Sequence, residues 1–597
     1  MNPKDDGIAM GVSVQSVGKK KRIEKAINIF YYCLFGAFIL RVLLVFITDH
    51  WDYYQTHDDL DITDFGISFL AGHFNPHWFG YGYFTFLYSS IWTFVGYLWH
   101  IIASGWMSLH DYLVFLILEP REILIFNRIG FFIALCMGII LGGYFIKKKT
   151  NNFYALLFVS GMLITNSFYY TKSLLKSQPL EVIFVVISLF MADKLYGSLT
   201  RIKLVVAGIV LGLIWSTAFT GIFLVGSFFI TITIYQINSC INKTITPREG
   251  FINIGFITGS FLLSYIITSP YALISFGEWS TNTIKLINQG EMSRFTFDKL
   301  PSIQRTLDFI GYNSIFPSVV IVLLFFNFVT DEIRTKSIRY IHPILYTVLC
   351  LIIYSTSPHV RIYYFLPHTI VMTILVLIFL FKVENISSRL KILMPLFLLL
   401  FTIYTNSNSK VLSSFFAKPD ISISQGYEKS NIVQERKWIN NNVGTTSLLV
   451  FDGWLHYIPK IICSDSILFS DLWEHYRYGR QANETFQQLV SDARRISIAK
   501  EGKIFPCTKI WFNYVFDKSR LRILQETISH HYNDSIYYLV PVRWYNQYVG
   551  QGIILEENQK PFITYYGDLL DGKLGPLVFR DSDLVIIKLD KSKYLNL

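Results

Sequence analysis

Apolar residues in this chain come in long blocks, not in the two-residue alternation of half-buried strands. Blocks of about 17 to 22 residues recur up to residue 404, the length an α-helix needs to cross roughly 30 Å of hydrocarbon. They fall at 26–47, 128–146, 153–169, 180–195, 204–219, 221–237, 251–268, 314–330, 341–356, 364–381 and 390–404, which gives eleven expected spans. Beyond residue 405 the pattern changes. A helical period over 429–441 and short strand-like runs at 447–451, 509–512, 535–540 and 584–589 predict helices alternating with buried strands. The expected fold is an α-helical polytopic membrane protein with a C-terminal soluble α/β domain. Its divisions are a cytoplasmic tail over 1–25, a transmembrane domain over 26–405 with a first outer loop at 48–127, and the α/β domain over 406–597.

Charge refines this picture without changing it. The net charge of +11 would suggest nucleic acid in a soluble protein, but clusters such as Lys19-Lys20-Lys21-Arg22 and Lys147-Lys148-Lys149 lie beside apolar blocks and read as topology signals. No nucleic-acid partner is expected. With the N-terminal cluster cytoplasmic, the first span leads outward and the span 128–146 ends inside, at its three lysines. Two further apolar stretches lie between, 83–103 and 106–126, and parity demands that both cross or neither does. Glu119-Pro120-Arg121-Glu122 in the second and the Tyr and Trp residues of the first predict helices lying along the interface; two crossings there would make thirteen spans. The loops carrying Arg201 and Lys203, Lys243 and Arg248, Arg334 to Arg339, and Arg389 and Lys391 then fall inside, and the C-terminal domain outside. The join at Thr217–Gly221 decides that parity and is read as a break between two spans. The first block is too long for a signal-peptide core and is expected to be retained. In a bacterium, which the Ile, Lys, Asn and Phe richness suggests, the protein belongs in the plasma (inner) membrane.

Six cysteines are too few for a disulfide scaffold, and Cys33, Cys136 and Cys350 sit in apolar blocks as small hydrophobes. Cys463 and Cys507, both in the polar C-terminal region, are candidates for a pair.

The chemistry concentrates in the first outer loop. His57-Asp58-Asp59 is followed by Asp61 and Asp64, then by Gly72-His73-Phe74-Asn75-Pro76-His77-Trp78. The bland reading is a solvated acidic loop capping a helix. Against it stand Phe65, Phe69 and Leu70, which share one helical face, and the aromatic stretch that follows and would anchor at the lipid interface. A carboxylate held there can take a proton from a hydroxyl acceptor. Asp58 and Asp59 are therefore the candidate catalytic residues, with His57, Asn75 and His77 as candidates for the acceptor side of the loop. Lys172, Lys176, Arg128 and Arg361 are cations on the outer side, against the usual charge rule, and are candidates for binding a lipid phosphate. Their bland reading is snorkelling or a salt bridge. The thirteen histidines show no HExxH or paired ligand spacing, and no Walker A loop, Rossmann fingerprint or nucleophile elbow occurs in a suitable context. No metal site and no cofactor is expected, and nothing in the sequence supports a divalent cation at Asp58 or Asp59.

These residues resemble a known family. His57-Asp58-Asp59, the run to Ala71-Gly72, Phe74 to Phe79 and Tyr81 to Leu87 are similar to the first outer loop of the polyprenyl- or dolichyl-phosphate-sugar-dependent glycosyltransferases of the GT-C superfamily, in the protein mannosyltransferase-like and aminoarabinose transferase-like branch. Asn127-Arg128, Ala207-Gly208 to Gly212-Leu213, Ser269 to Leu273, Arg361 to Pro367 and Glu435 to Ile439 extend the resemblance along most of the chain. It implies that the first-loop acid is the catalytic base, carried here by Asp58, or by Asp59 if the register shifts by one. The chain departs from the pattern at Ser177-Gln178-Pro179-Leu180, where the family often has an Asp before the Pro-Leu, and at Ala218-Phe219, where it often has a Lys.

The expected activity is inverting transfer of a sugar from a lipid-phosphate carrier to a glycan, lipid or protein acceptor on the outer or lumenal face. The alternative is a lipid or polysaccharide transporter or scramblase, which would want ionisable residues along a path through the spans. The topology is open to a direct check. Single cysteines placed in 56–64 and 440–590 should react with an impermeant reagent added from outside; reaction only after permeabilisation of the membrane would reverse the assignment.

Overall fold

The computed structural model describes residues 57–76, 82–118, 121–163, 165, 175–195, 200–218, 220–286, 300–334, 340–356, 362–383, 431–452, 488–489, 491–493, 495–496, 505–510, 518–530, 535–542, 560–581 and 584–596, with single positions at 29, 36 and 397. The expected spans at 26–47 and 390–404 lie almost wholly outside these residues. The stretch expected to be the first outer loop holds α1 (His57–Leu70), α2 (Tyr83–Ser104) and α3 (Leu109–Leu118). Then come α4 (Arg121–Lys149), α5 (Asn152–Leu163), α6 (Gln178–Leu195), α7 (Arg201–Thr217), α8 (Gly221–Ile241) and α9 (Pro247–Thr268). After α10 (Pro270–Ile274), α11 (Phe276–Leu286) and α12 (Leu300–Asn313), the bundle is completed by α13 (Ser318–Arg334), α14 (Ile341–Thr356) and α15 (Leu366–Lys382).

Every other expected span coincides with a helix, and Thr217–Gly221 is a break between α7 and α8. Among the described residues four helices are long and apolar enough to cross a membrane by length and composition: α2, α4 from Glu122, α8 and α9. The basic ends gather at one end of the bundle. Lys149 of α4 donates to Asp193 of α6, Lys203 of α7 donates to the Lys194 carbonyl at 3.3 Å, and Lys382 of α15 lies 3.9 Å from Glu332 of α13. A Tyr154–Phe381 ring contact at 5.6 Å joins the two groups. These are the ends that the charge rule assigns to the inside.

The stretch 83–126 is divided unequally. α2 has 22 residues. α3 has 10, about 15 Å, half of what a crossing requires. A crossing by α2 alone would put the lysines of α4 on the outer face. Its packing fits the other parity, because α2 runs antiparallel to the first third of α4 only. Tyr88 donates to the Gly130 carbonyl at 2.8 Å, Thr93 accepts from Asn127 at 3.1 Å, and His100 meets Glu122 at 3.1 Å. The start of α2 meets the last turn of α7, where Thr85 Oγ1 donates to the Thr217 carbonyl at 2.7 Å.

The C-terminal region forms α16 (Asn431–Asn442), β1 (Leu448–Asp452), β2 (Cys507–Ile510), α17 (Lys518–His530), β3 (Ile536–Pro541), α18 (Lys560–Leu570), β4 (Leu577–Arg580), β5 (Leu584–Lys588) and α19 (Lys591–Leu595). Strand order is β2-β1-β3-β5-β4; β1 is parallel to both its neighbours, and β5 is antiparallel to both of its own. The period of two sends Val450, Tyr538 and Ile587 to one core with α17 and α18, and Leu449, Leu539 and Ile586 to a second core with Ile439 of α16 and Val443 just after it. Burial on both faces explains why these strands read as continuous apolar runs. Cys507 is disulfide-bonded, and Cys463 lies outside the described residues. Around residues 488–496, Leu489 and Ala493 pack with Ile67 of α1, Tyr97 of α2 and Leu113 of α3, and His110 bonds to Asp492 at 3.1 Å.

One buried charge marks the sheet. Asp452, fully buried at the end of β1, accepts from Tyr566, and from Tyr538 at 3.4 Å, while the hydroxyls of Tyr565 and Tyr594 bond each other at 2.6 Å. Burial first, then neighbouring tyrosines and the charge of Asp452, hold these four phenols well above their ordinary value of 10.0. A raised phenol contributes stability that is complete below its unfolded value and is lost as pH rises through its folded one. The sheet should therefore open on alkaline titration beginning above about pH 10. At neutral pH, Tyr566→Phe removes the main donor to a buried carboxylate and should cost about 1–3 kcal/mol. Amide exchange of β1 and β3 in the full chain tests both; wild-type protection in the variant would contradict this account.

Candidate functional site

α1 lies antiparallel on α2. Ring centroids of Phe65 and Phe86 are 4.0 Å apart and those of Phe69 and Tyr83 5.0 Å, while Ser89 Oγ donates to the Ile62 carbonyl at 2.8 Å. Close approach is set at Gly66, where a Cβ would stand 2.7 Å from Ser89 Oγ and 2.9 Å from Thr93 Oγ1. This register sends the start of α1, which carries His57, Asp58 and Asp59, towards the second half of α2. Thr93 there holds Asn127, which also donates to the Ile123 carbonyl at 3.0 Å, and the next residue is the fully buried Arg128. Three carboxylates within the first turns of α1 suit the positive end of its dipole. The side chains of His57, Asp58 and Asp59 lie outside the described residues. Asp64, one turn further on, is buried.

α1 closes in a Schellman turn at Gly72, whose φ of +85° suits glycine; His73 N–H reaches the Ser68 carbonyl at 2.9 Å and Gly72 N–H the Phe69 carbonyl at 3.1 Å. The chain then turns so that Asn75 Nδ2 donates to Ser275 Oγ at 3.2 Å, joining the loop to the segment between α10 and α11. Tyr83 and Tyr271 stack at 6.3 Å beside this link. The site has two ends, separated by the length of α1, about 20 Å. One is the acidic helix start of α1; Asn127 reaches α1 further along, through Thr93 beside Gly66. The other gathers Asn75, Tyr83 and Tyr271, with the start of α6 joined to it through the Phe84–Phe184 contact at 5.9 Å.

Of the sequence candidates, Arg128 is fully buried one residue after Asn127 of α4, and Lys176 is buried just before α6, in the run Lys176-Ser177-Gln178. His77, Lys172 and Arg361 lie outside the described residues. Sequence reasoning missed two groups. Glu181, buried near the start of α6, accepts from Thr220 Oγ1, in the turn between α7 and α8. His100 bonds both oxygens of Glu122 at 3.1 Å, with Tyr112 alongside, its phenol raised by burial and then by the charge of Glu122. A lone carboxylate within an apolar block was the available signal for Glu181.

No protein-family model and no curated protein matches this chain. Solved structures do. ArnT from Cupriavidus metallidurans bound to undecaprenyl phosphate aligns over 93% of this chain and 97% of its own, at 10% identity and a TM-score of 0.44. The Archaeoglobus fulgidus oligosaccharyltransferase aligns over 89% and 70%, at 11% identity and 0.44; AglB of the same organism, with an inhibitory peptide and a dolichol-phosphate, aligns over 90% and 72%, at 12% and 0.41. These are GT-C glycosyltransferases. Similarity at this distance assigns no residue a role.

The start of α2 is the tightest joint of the site. A Cβ at Gly82 would stand 2.2 Å from the Ser216 carbonyl oxygen and 2.5 Å from that of Thr217, and backbone atoms do not give way. Gly82→Ala should therefore displace α2 and destabilise the protein by about 1–3 kcal/mol, the range for forced overpacking. Thermal denaturation in detergent measures this; an unchanged midpoint would show that the joint is looser than its geometry.

Proposed function

We propose that this chain is a membrane glycosyltransferase that moves a sugar from a polyprenyl- or dolichyl-phosphate carrier to an acceptor at the outer or lumenal face, with inversion. The observation that supports this most is the packing of α1, the helix that begins with Asp58 and Asp59, on α2, which Thr93 and Asn127 in turn join to α4 next to the buried Arg128. Asp58, or Asp59, accepts the proton of the acceptor hydroxyl as its oxygen attacks the anomeric carbon from the face opposite the phosphate. The bond from that carbon to the phosphate oxygen breaks, its electron pair leaves with the lipid phosphate, and cations stabilise the developing charge. Arg128, Lys176, Lys172 and Arg361 are the candidates for the carrier phosphate, and His57, Asn75 and His77 for the acceptor side. The division at residue 405, with the α/β domain outside, is part of the same reading.

A transporter reading draws on one observation. Glu181, His342 and His368 are ionisable and buried within the helical bundle. Lipid-linked sugar moved between the leaflets of a vesicle, with no glycosidic product, would favour it.

Replacing Asp58 or Asp59 by Asn keeps size and polarity but removes proton-accepting power, and should lower turnover roughly 100-fold or more for the residue that is the base, with donor binding nearly unchanged. Arg128→Gln should weaken donor binding, because a phosphate contact present before and during reaction contributes to both. Turnover and polyprenyl-phosphate affinity in reconstituted membranes separate the two effects. Full activity in both single Asn variants and in the double variant would remove the acid pair from the mechanism.

A further inference from the structure

Glu181 has no part in the chemistry just described, although it is a carboxylate buried where a helix of the bundle begins. Its hydrogen bond leads away from solvent. Thr220 Oγ1 donates to Glu181 Oε1, and Thr220 sits in the short turn between α7 and α8. Three residues earlier in that turn, the Thr217 carbonyl accepts from Thr85 Oγ1 of α2 at 2.7 Å, and Gly82 presses on the backbone of Ser216 and Thr217. α2 carries α1 through the Ile62–Ser89 bond and the Phe65–Phe86 contact. A continuous set of contacts therefore runs from Glu181 through the turn and α2 to the helix whose first turn holds Asp58 and Asp59. Cys350 of α14 lies within electrostatic reach of Glu181, and Tyr346 shares a small cavity with it, lined otherwise by Phe184, Val185, Ile214, Gly221 and Leu224. Among the described residues the Thr220 hydroxyl donates to the carboxylate, and apart from Tyr346 the rest of the cavity wall is apolar.

We propose that Glu181 is a positioning residue for the transferase reaction: by fixing Thr220 it clamps the turn between α7 and α8 under the start of α2, and so sets where α1 presents its acids. This rests on the transferase reading for its consequence, but the mechanical link stands without it. A buried acid fits the task because its oxygen accepts from the Thr220 hydroxyl where the walls are apolar, and breaking that bond would leave a buried polar group unsatisfied.

The test uses the full chain in lipid nanodiscs. Thr220→Val keeps the shape of the side chain and removes the donor; Thr220→Ser restores it. In Thr220→Val the amides of α1 should exchange about tenfold faster, and turnover of a polyprenyl-phosphate hexose or pentose should fall about tenfold while affinity for polyprenyl phosphate alone changes less than threefold. Thr220→Ser should return both to within about twofold of wild type, and Glu181→Gln, which keeps an acceptor without charge, should fall between. Exchange in β1 should be the same throughout, as an internal measure of intact fold. Unchanged α1 exchange in Thr220→Val and Glu181→Gln overturns the proposal, whatever happens to turnover. Faster α1 exchange in a protein that transfers no sugar even as wild type would overturn the transferase reading and leave the clamp.

Discussion

α4 is longer than the hydrocarbon it has to cross. Its 29 residues measure about 43 Å against roughly 30 Å of membrane core. The surplus could be absorbed by tilt, but the contacts show another use. The first third of α4 is the surface against which α2 is laid, through Glu122, Asn127, Gly130 and Phe131. That stem and α3, through Tyr97 against Tyr112 and His100 against Phe115, hold the second half of α2, and α2 in turn is the platform for α1. The candidate site is thus a second storey built on one overlong helix, and its basic residue Arg128 belongs to the stem.

The two parts of the chain treat buried polarity differently. In the helical part, polar side chains are met by one or two neighbouring groups: Thr85 by the Thr217 carbonyl, Thr220 by Glu181, Asn127 by Thr93 and the Ile123 carbonyl. Helices satisfy their own backbone, so these bonds are free to fix the relation of one helix to another. In the sheet, Asp452 is met by two phenols with two more behind them, a network that fills the space between strands and α18. The first arrangement sets register and the second sets solidity.

How much of this was legible follows from what each feature depends on. Apolar block length is a property of neighbouring residues, and all the expected spans that fall on described residues are helical. The shared face of Phe65 and Phe69 and the turn at Gly72 were read correctly, because a 3.6-residue period and a glycine are local signals; Leu70, expected on that face, packs instead against the cluster of Ile67, Tyr97 and Leu113. So were four strand runs; β4 was not, since Leu577–Arg580 is an edge strand that is only partly buried and carries a register shift against β5. The run 106–126 promised helix from its start, whereas the described helix begins at Leu109. Around the candidate site the limit is the same: the acids and Arg128 stood out by residue type, but the partnership of Glu181 with Thr220 arises from a pairing across 39 residues that no periodicity encodes.

The apolar cluster under α3 has a further consequence for how such a protein can change over time. Leu489 and Ala493 are buried against Ile67, Tyr97 and Leu113, so a surface of α1, α2 and α3 is completed by residues nearly 400 positions later in the chain. Shuffling the C-terminal part for one from another lineage would uncover that surface, and altering α3 would strand the later segment. The two parts are constrained to be inherited as a pair, with any drift on one side answered on the other, even though their interiors are built on unrelated plans.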